Sequence, residues 1–252
     1  MNQSSLDSRS IVVVGASRGL GRGMALAFAR AGAVVHALSR DEAGLDSLRA
    51  QGDGRITTAV GDATREGLAK QVLETQQPDA FVIVAGAAPK MAPLRDYDWA
   101  SLSRPWQVDV QIAFRWLQAA LQTSFEGRAV VVSSGAALHG SPLSGGYAGA
   151  KQMQRFLAKY TADEAARDGS KLLVQTLLPQ LNPNTELGRA GVAAYAQRAG
   201  VSPEAFVAKR FGTQPLSPEI AGIALVELFT NPERERVAEF MLSGKGLQPL
   251  GE

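Results

Sequence analysis

A tyrosine and a lysine one helical turn apart are the strongest candidates for chemistry in this sequence. Tyr147 and Lys151 are four positions apart, and Ser134 lies thirteen residues before the tyrosine. If Tyr147 begins a helix, this spacing places its ring and the Lys151 ammonium on one face. A phenol has an ordinary pKa of about 10 and is a poor base at neutral pH, but a nearby ammonium stabilises the phenolate. We therefore interpret Tyr147 as an acid/base group, Lys151 as the cation that assists it, and Ser134 as a hydrogen-bond donor to a substrate oxygen.

The first apolar run of the chain leads into a glycine-rich turn, and a helical pattern follows at once. Glycine permits a tight turn and a close approach of the backbone to a ligand. The N-terminus of the helix offers free N–H groups that favour a phosphate. The spacing is G-x-x-x-G-x-G rather than the G-x-G-x-x-G of the common dinucleotide fingerprint. Its position between a strand and a helix favours dinucleotide binding, and the candidate contacts are Gly15, Ser17, Arg18, Gly19, Leu20 and Gly21.

The tip of the second predicted strand indicates which dinucleotide is bound. This strand ends at Ser39 and Arg40. In a dinucleotide-binding fold the tip faces the adenosine ribose, where an acidic residue favours NAD and an arginine accommodates the 2′-phosphate of NADP. Arg18 is a candidate second cation for that phosphate. The negative charge of Asp41, which follows Arg40, argues against a phosphate contact. We interpret Asp41 as a residue of the N-terminal turn of the next helix. The sequence therefore predicts NADP(H) over NAD(H).

Short apolar runs alternate with helix-length segments along the chain. The predicted strands are Ile11–Val14, Val34–Leu38, Ile56–Val60, Ala80–Ala85, Ala129–Val132, Leu172–Leu178 and Glu239–Leu242. The predicted helices are Gly19–Ala31, Arg65–Gln76, Trp99–Thr123, Gly146–Arg167 and Pro218–Thr230. Continuously apolar strands are covered on both faces, and strand–helix alternation indicates a parallel sheet between helices. With right-handed crossovers, residues 1–252 are predicted to form a single α/β domain, a three-layer αβα doubly wound sheet of the Rossmann type.

The segment from Pro179 to Gln214 has no strand pattern and contains two helix-like pieces, Thr185–Ala199 and Ser202–Phe211. An insertion of this kind near the carboxyl end of a sheet is a candidate substrate lid, and the alternative is an ordinary surface excursion. Four basic residues on these pieces face either an acidic substrate or solvent: Arg189, Arg198, Lys209 and Arg210.

Composition excludes several classes of function. The 252 residues are 45% apolar and 20% charged with a net charge of +2, and no long basic run occurs, so nucleic acid and anionic membranes are not predicted partners. No apolar stretch approaches the roughly 18 residues of a membrane span. The chain has no cysteine, and its two histidines, His36 and His139, lack the spacing of metal ligands, so no metal site is predicted. We expect a cytoplasmic protein.

Taken together, these residues resemble the short-chain dehydrogenase/reductase family in its compact single-domain branch, over nearly the whole chain. The resemblance implies that Ser134, Tyr147 and Lys151 are the catalytic Ser, Tyr and Lys, and that Lys151 also bonds the nicotinamide ribose. It also implies an acidic residue near the adenine, which here is Asp62. Further cofactor contacts implied by the resemblance are Ala85, Gly86 and Pro179.

Three departures from the family pattern stand out. Ile83-Val84-Ala85-Gly86 replaces Asn-Asn-Ala-Gly after the fourth strand, and Gln180 replaces the glycine after Pro179. Asp109 takes the position of an Asn that holds a water in the proton relay to the Lys. We interpret Asp109 as a functional variant that strengthens the charged form of Lys151, and the alternative is a drifted site with reduced activity.

The predicted function is that of an NADP(H)-dependent carbonyl reductase or alcohol dehydrogenase acting on a small organic carbonyl or secondary alcohol. The alternative from another class is a catalytically weak NADP(H)-binding regulator or scaffold. A dehydratase or epimerase on the same fold is a further alternative, for which the chain lacks the expected larger substrate domain. The resemblance also implies a homodimer or homotetramer formed through the helices of Trp99–Thr123 and Gly146–Arg167.

Overall fold

One sheet of eight strands runs through the part of the chain that the structure describes. This computed structural model describes residues 6–251, so residues 1–5 and 252 of the predicted domain lie outside it. The strands are β1 (Ser10–Val14), β2 (Val34–Ser39), β3 (Ile56–Val60), β4 (Ala80–Ile83), β5 (Arg128–Val132), β6 (Leu173–Pro179), β7 (Glu239–Ser243) and β8 (Gly246–Pro249). Their order in the sheet is β3-β2-β1-β4-β5-β6-β7-β8, and every neighbouring pair is parallel except β7 and β8. The order of connection reverses between β1 and β4, where a crevice opens at the carboxyl ends of the strands.

Helices cover both faces of the sheet. They are α1 (Gly19–Arg30), α2 (Glu42–Ala50), α3 (Leu68–Gln76), α4 (Trp99–Pro105), α5 (Gln111–Gln122), α6 (Ala136–His139), α7 (Tyr147–Arg167), α8 (Glu186–Ala199), α9 (Pro203–Phe211) and α10 (Pro218–Thr230). Neighbours on β4 point to opposite faces, because side chains alternate along a strand. Val82 belongs to the core that includes Phe28 of α1 and Leu225 of α10. Phe81 packs on the other face against Trp116 of α5, with ring centroids 5.8 Å apart. The predicted three-layer, doubly wound α/β fold is confirmed.

The sheet differs from the prediction at its last strand. β8 (Gly246–Pro249) pairs antiparallel with β7 through Leu242 and Leu247, and it was not predicted. Its four residues contain a single large apolar side chain, Leu247, so they form no apolar run. At an edge, a strand needs to bury only one face, and one apolar residue is sufficient.

The long helix predicted over Trp99–Thr123 is interrupted. Helix α4 ends at Pro105, and a π-helical turn over Trp106–Val110 precedes α5. Proline has no N–H to donate and its ring crowds the preceding turn, so it disturbs the regular helical hydrogen bonding. Such π-helical turns often occur at functional sites. This one contains Asp109, the buried residue of the turn.

One other helix begins differently from the sequence pattern, and the start of another agrees with it. Helix α3 begins at Leu68 rather than at Arg65. The carboxylate of Asp41 accepts a hydrogen bond from the Gly44 N–H and caps α2, as expected for a helix N-terminal residue. Asp41 is therefore accounted for by local structure.

The candidate lid contains the two predicted helical pieces. Thr185 caps α8 and Ser202 caps α9, each by accepting a hydrogen bond from a backbone N–H in the first turn. The segment leaves the sheet at the carboxyl end of β6, so it stands over the crevice. In the described residues, no helix is both long enough and apolar enough to cross a membrane.

Candidate active site

A cavity of about 1840 Å³ lies at the carboxyl ends of the central strands and extends along α1 and α10. Its walls come from the glycine turn, the ends of β4, β5 and β6, the start of α7 and the lid helices. All of the predicted site residues line it: Gly15, Ser17, Arg18, Gly19, Leu20, Gly21, Arg40, Asp62, Ala85, Gly86, Asp109, Ser134, Tyr147, Lys151 and Pro179. The fold thus brings residues from distant parts of the chain into one cavity.

Packing requires the glycines of the turn. Gly15 has a φ of +94°, and a Cβ there would lie 2.5 Å from the Ala85 backbone nitrogen. A Cβ on Gly21 would lie 2.1 Å from the Gly15 carbonyl oxygen. The side chain of the N-cap residue Arg18 makes no capping hydrogen bond, and the first turn of α1 contains no acidic residue. The α1 N-terminus therefore presents backbone N–H groups to the cavity, as an anion-binding helix terminus does.

The predicted phosphate-binding arginines have different surroundings. The Arg40 guanidinium makes no hydrogen bond or ion pair with any residue in 6–251. Arg18 donates to Glu186 of the lid over 2.5 Å, so it connects the glycine turn to α8. Asp62 accepts hydrogen bonds from the backbone and side chain of Thr64, which lower the pKa of its carboxyl group. The charged form of Asp62 is thereby favoured, and Arg40 favours it further.

Ser134 and Tyr147 are half-buried in the cavity wall. Ser134 follows β5, and its hydroxyl accepts a hydrogen bond from the Ala136 N–H over 3.2 Å. Tyr147 is the first residue of α7, as the sequence predicted. The Trp106 indole donates to the Gly146 carbonyl over 3.1 Å and fixes the start of that helix. The Lys151 Nζ lies 5.5 Å from the centroid of the Tyr147 ring, so the expected pairing on one helix face is present.

The Lys151 ammonium lies in a buried polar cluster. Its Nζ is 3.1 Å from Asp109 Oδ2, an ion-pair contact rather than an aligned hydrogen bond. It donates to Gln154 Oε1 over 3.0 Å and to the Val132 carbonyl over 3.4 Å. Asp109 Oδ1 accepts from the Ala87 N–H over 2.7 Å. Both side chains are at most 5% exposed, so neither charge is solvated by bulk water.

Two opposing effects act on the pKa of Lys151. Burial is the strongest single effect and acts to lower it, but the attraction of the Asp109 carboxylate and a smaller contribution from Tyr147 together outweigh burial, so that the pKa is raised above its ordinary value of 10.5. Asp109 therefore favours the ammonium form of Lys151.

Comparisons with known proteins agree with this geometry. The family model described as short chain dehydrogenase matches residues 9–190. The chain belongs to the short-chain dehydrogenase family. A short chain dehydrogenase of Pseudocercospora fijiensis is 32% identical over 202 residues, and the match covers 74% of this chain and 63% of the fungal protein.

Solved structures also resemble this short-chain dehydrogenase. An NAD⁺-bound xylitol dehydrogenase has a TM-score of 0.81 at 20% identity, covering 94% of this chain and 98% of that one. A protein of Beutenbergia cavernae described as an NAD(P) dependent gluconate 5-dehydrogenase, with bound NADP, has a TM-score of 0.74 at 26% identity. That match covers 90% of this chain and 91% of the other. These neighbours share the fold but carry different cofactors, so they do not decide between NAD and NADP for this short-chain dehydrogenase.

Gln154 is a residue of the site that sequence reasoning missed. Its amide bridges the cluster, because Oε1 accepts from Lys151 and Nε2 donates to the Asp109 main-chain carbonyl over 3.0 Å. The spacing of three residues from Lys151 was the available signal, since residues three apart share a helix face. Gly86 also leaves room for the Asp109 carboxylate, because a Cβ at this position would lie 2.7 Å from Asp109 Oδ2.

Replacing Gln154 with Leu is expected to lower the free energy of unfolding of this short-chain dehydrogenase by about 1–3 kcal/mol, since two buried partners lose a hydrogen bond. Urea denaturation measures the change. Gln152→Leu is the matched control, because Gln152 lies on the same helix and bonds only the half-buried Arg155. Equal losses in the two variants would contradict the bridging role of Gln154.

The remaining sequence candidates are placed as follows. His139 and Gln180 line the cavity, so Gln180 does place a side chain at the site. His36 lies on β2, where its ring nitrogens contact the hydroxyls of Thr57 and Ser10. Among residues 6–251 no group of three His, Asp or Glu side chains is positioned to hold a metal ion.

Proposed function

We propose that this protein is an NADP(H)-dependent carbonyl reductase or alcohol dehydrogenase acting on a small organic carbonyl or secondary alcohol. The observation that carries the proposal is the shared cavity. Half-buried Ser134 and Tyr147 line the same cavity as the buried Lys151 ammonium, a glycine turn and an open helix N-terminus, and the Lys151 Nζ faces the Tyr147 ring. Membership of the short-chain dehydrogenase family supports the same reaction class.

The residues present fit a dinucleotide. The N–H groups of Gly19, Leu20 and Gly21 would hold the pyrophosphate. A Cβ atom on Gly15 or Gly21 would collide with neighbouring backbone atoms, so the turn can have this shape only with glycine at both positions. Arg40, which has no protein partner for its guanidinium in the described residues, would bond the 2′-phosphate. Asp62 would lie near the adenine, and Ala85, Gly86 and Pro179 would lie along the nicotinamide half. When bound, NADPH supplies a hydride to the carbonyl carbon.

The side chains of this protein would then supply the proton and stabilise the charges that develop. In the reductive direction Tyr147 donates its hydroxyl proton to the substrate oxygen, and Ser134 donates a hydrogen bond to the same oxygen as charge develops there. The Lys151 ammonium stabilises the phenolate that remains. Its contact with the Val132 carbonyl is the longest of its three, so that N–H is the one released most easily to a ribose hydroxyl.

Preference for NADP over NAD depends in this proposal on Arg40. Replacing Arg40 with Gln is expected to raise the KM for NADPH about ten- to a hundred-fold, because hydrogen bonds to a charged group contribute about 1.5–3 kcal/mol. The KM for NADH should not change. Initial rates with each cofactor measure the effect, and Arg49→Gln is the control, since Arg49 bonds Asp46 on the exposed face of α2. Equal effects on both cofactors would rule out a 2′-phosphate contact.

Oxidation of NADPH in the presence of a panel of aldehydes and ketones tests the proposed reaction. Turnover that depends on the carbonyl is expected. The second candidate is a regulator or scaffold that binds NADP(H) with little turnover, and the Asp109–Lys151 ion pair favours it, because Asp109 offsets the charge that would stabilise the Tyr147 phenolate. Tight NADPH binding without oxidation by any carbonyl would establish that candidate.

Assembly and location complete the proposal. Large apolar side chains are exposed on α4, α5 and α7, including Trp99, Phe114 and the stacked pair Phe156 and Tyr160. Exposed apolar patches mark interaction surfaces, and this face supports a homodimer or homotetramer. A sequence without cysteine fits a reducing compartment, which supports the cytoplasm.

A further inference from the structure

An aromatic wall closes the lid side of the cavity. It consists of Tyr195 on α8 and Phe206 and Phe211 on α9, all of which line the cavity that contains Ser134 and Tyr147. The Tyr195 and Phe206 rings are stacked with centroids 6.3 Å apart, and Phe206 meets Phe211 edge-on at 6.5 Å. The three rings therefore form one continuous apolar surface.

The protein covers this surface incompletely. All three rings are only half-buried, and α9 contains no buried residue. Apolar area left in water is unfavourable relative to burial. Met91 and Met241 also line the cavity, so apolar groups enter it from other elements as well. A ligand with an apolar ring would cover this surface.

The one polar group on the wall already has a partner. The Tyr195 hydroxyl hydrogen-bonds the Ser141 hydroxyl, in the segment between α6 and α7. This bond connects the lid to the loop that leads into Tyr147. The wall consequently presents ring faces rather than free hydroxyl groups, which suits a ring better than a polyol chain.

Two arginines line the same cavity as the aromatic wall. Arg189 on α8 and Arg210 on α9 line the same cavity, and neither guanidinium makes a hydrogen bond or ion pair within the described residues. Of the carboxylates that line the cavity, Glu186 bonds Arg18, Asp109 pairs with Lys151 and Glu227 bonds Arg234, and none of the others forms an ion pair with either arginine in the described residues. The lid therefore has an excess of positive charge beside its apolar wall, and a guanidinium binds carboxylates in bidentate fashion.

From these observations we infer that the substrate is a ketone with an apolar ring and a carboxylate group, the ring lying on the wall and the carboxylate between Arg189 and Arg210. This inference rests on the proposed function and specifies its substrate class. In the reaction the carbonyl carbon gains the hydride of NADPH and the oxygen gains the Tyr147 proton, giving a secondary alcohol and NADP⁺. The carboxylate takes no part in the bond changes.

The test compares two probes that differ in charge and in one methyl group, 4-acetylbenzoate and its methyl ester. With the wild-type protein and NADPH, we expect kcat/KM to be about ten-fold higher for the acid, since two arginines attract its carboxylate and exposed ion pairs contribute modestly. The double variant Arg189→Gln/Arg210→Gln should turn over the acid no better than the ester. The two probes are compared within each protein, so the ratio of their kcat/KM values is the readout.

Neighbouring residues provide a matched control. Arg198 on α8 and Lys209 on α9 are exposed and do not line the cavity, so Arg198→Gln/Lys209→Gln removes the same charge from the same helices. This control should keep the preference for the acid. Equal kcat/KM for the two probes in the wild type, or an equal loss of preference in the control, would overturn the inference.

A binding measurement separates this inference from the proposed function. Calorimetric titration of the NADP⁺-loaded protein with each probe requires no turnover. Selective binding of the acid that disappears in Arg189→Gln/Arg210→Gln would support the substrate class even if no carbonyl is reduced. Turnover of neutral ketones without selectivity for the acid would leave the proposed function standing and reject the inference.

Discussion

Replacing Tyr147 with Phe is expected to lower kcat for carbonyl reduction about a hundred- to ten-thousand-fold, the usual contribution of a positioned acid/base group. The change removes one oxygen atom and keeps the ring that Lys151 faces. Cofactor binding should therefore be nearly unaffected. Steady-state rates with saturating NADPH measure the loss, and fluorescence titration with NADPH measures binding.

Tyr160→Phe is the control for this experiment. Tyr160 lies on the same helix but is 56% exposed, and its ring stacks on Phe156 away from the cavity. Its variant should keep wild-type kcat. A Tyr147→Phe protein that retains full kcat would show that another group supplies the proton.

The second large effect concerns the buried ion pair. Lys151→Met is expected to lower the free energy of unfolding by about 3–5 kcal/mol, because it leaves the Asp109 carboxylate buried without its partner. Lys151→Met/Asp109→Leu should lose less than the single variant, since neither charge then remains. Both proteins should have very low kcat, because Tyr147 has lost its cation. Urea denaturation and kcat together separate the structural from the catalytic effect.

An exposed ion pair of equal length provides the control. Lys171 and Glu126 are also 3.1 Å apart, but their side chains are 80% and 59% exposed. Lys171→Met should change the free energy of unfolding by at most about 1 kcal/mol. A double variant that regains activity would show that the Lys151 charge is dispensable for the reaction.

The pH dependence of this stabilisation follows from the raised pKa of Lys151. Unfolded lysine has a pKa near 10.5, and the folded value is higher. The stabilisation is therefore fully present below about pH 10.5 and is lost as the pH rises through the folded value. Across the neutral range the difference in stability between wild type and Lys151→Met/Asp109→Leu, measured by urea denaturation, should be constant.

Much of this architecture could be predicted because local pattern and burial agree. The continuously apolar runs at β1, β4 and β5 are strands covered on both faces, and their alternation with helices fixed the layer order. Tyr147 and Lys151 could be paired because their spacing matches a helix turn. β8 was missed because an edge strand needs almost no apolar pattern.

The remaining features depend on contacts between distant segments. The interruption at Trp106–Val110 places Asp109 beside Lys151, and neither periodicity nor Pro105 alone determines that outcome. The contact between Arg18 and Glu186 joins residues 168 positions apart. From sequence alone Gln154 is an ordinary polar helix residue, and only the folded chain brings its amide into hydrogen-bond contact with the Asp109 main-chain carbonyl. Sequence identified the groups that could react, and three-dimensional packing determined what surrounds them.

Hydride transfer itself provides the most direct test. NADPH carrying deuterium at both hydrogen positions of nicotinamide C4 would be incubated with the protein and a ketone that it reduces, and the alcohol would be analysed by mass spectrometry and NMR. We predict one deuterium on the carbinol carbon, and no product with Tyr147→Phe on the same timescale. Alcohol without deuterium at that carbon, or equal labelled product from Tyr147→Phe, would contradict the proposed reaction at this site.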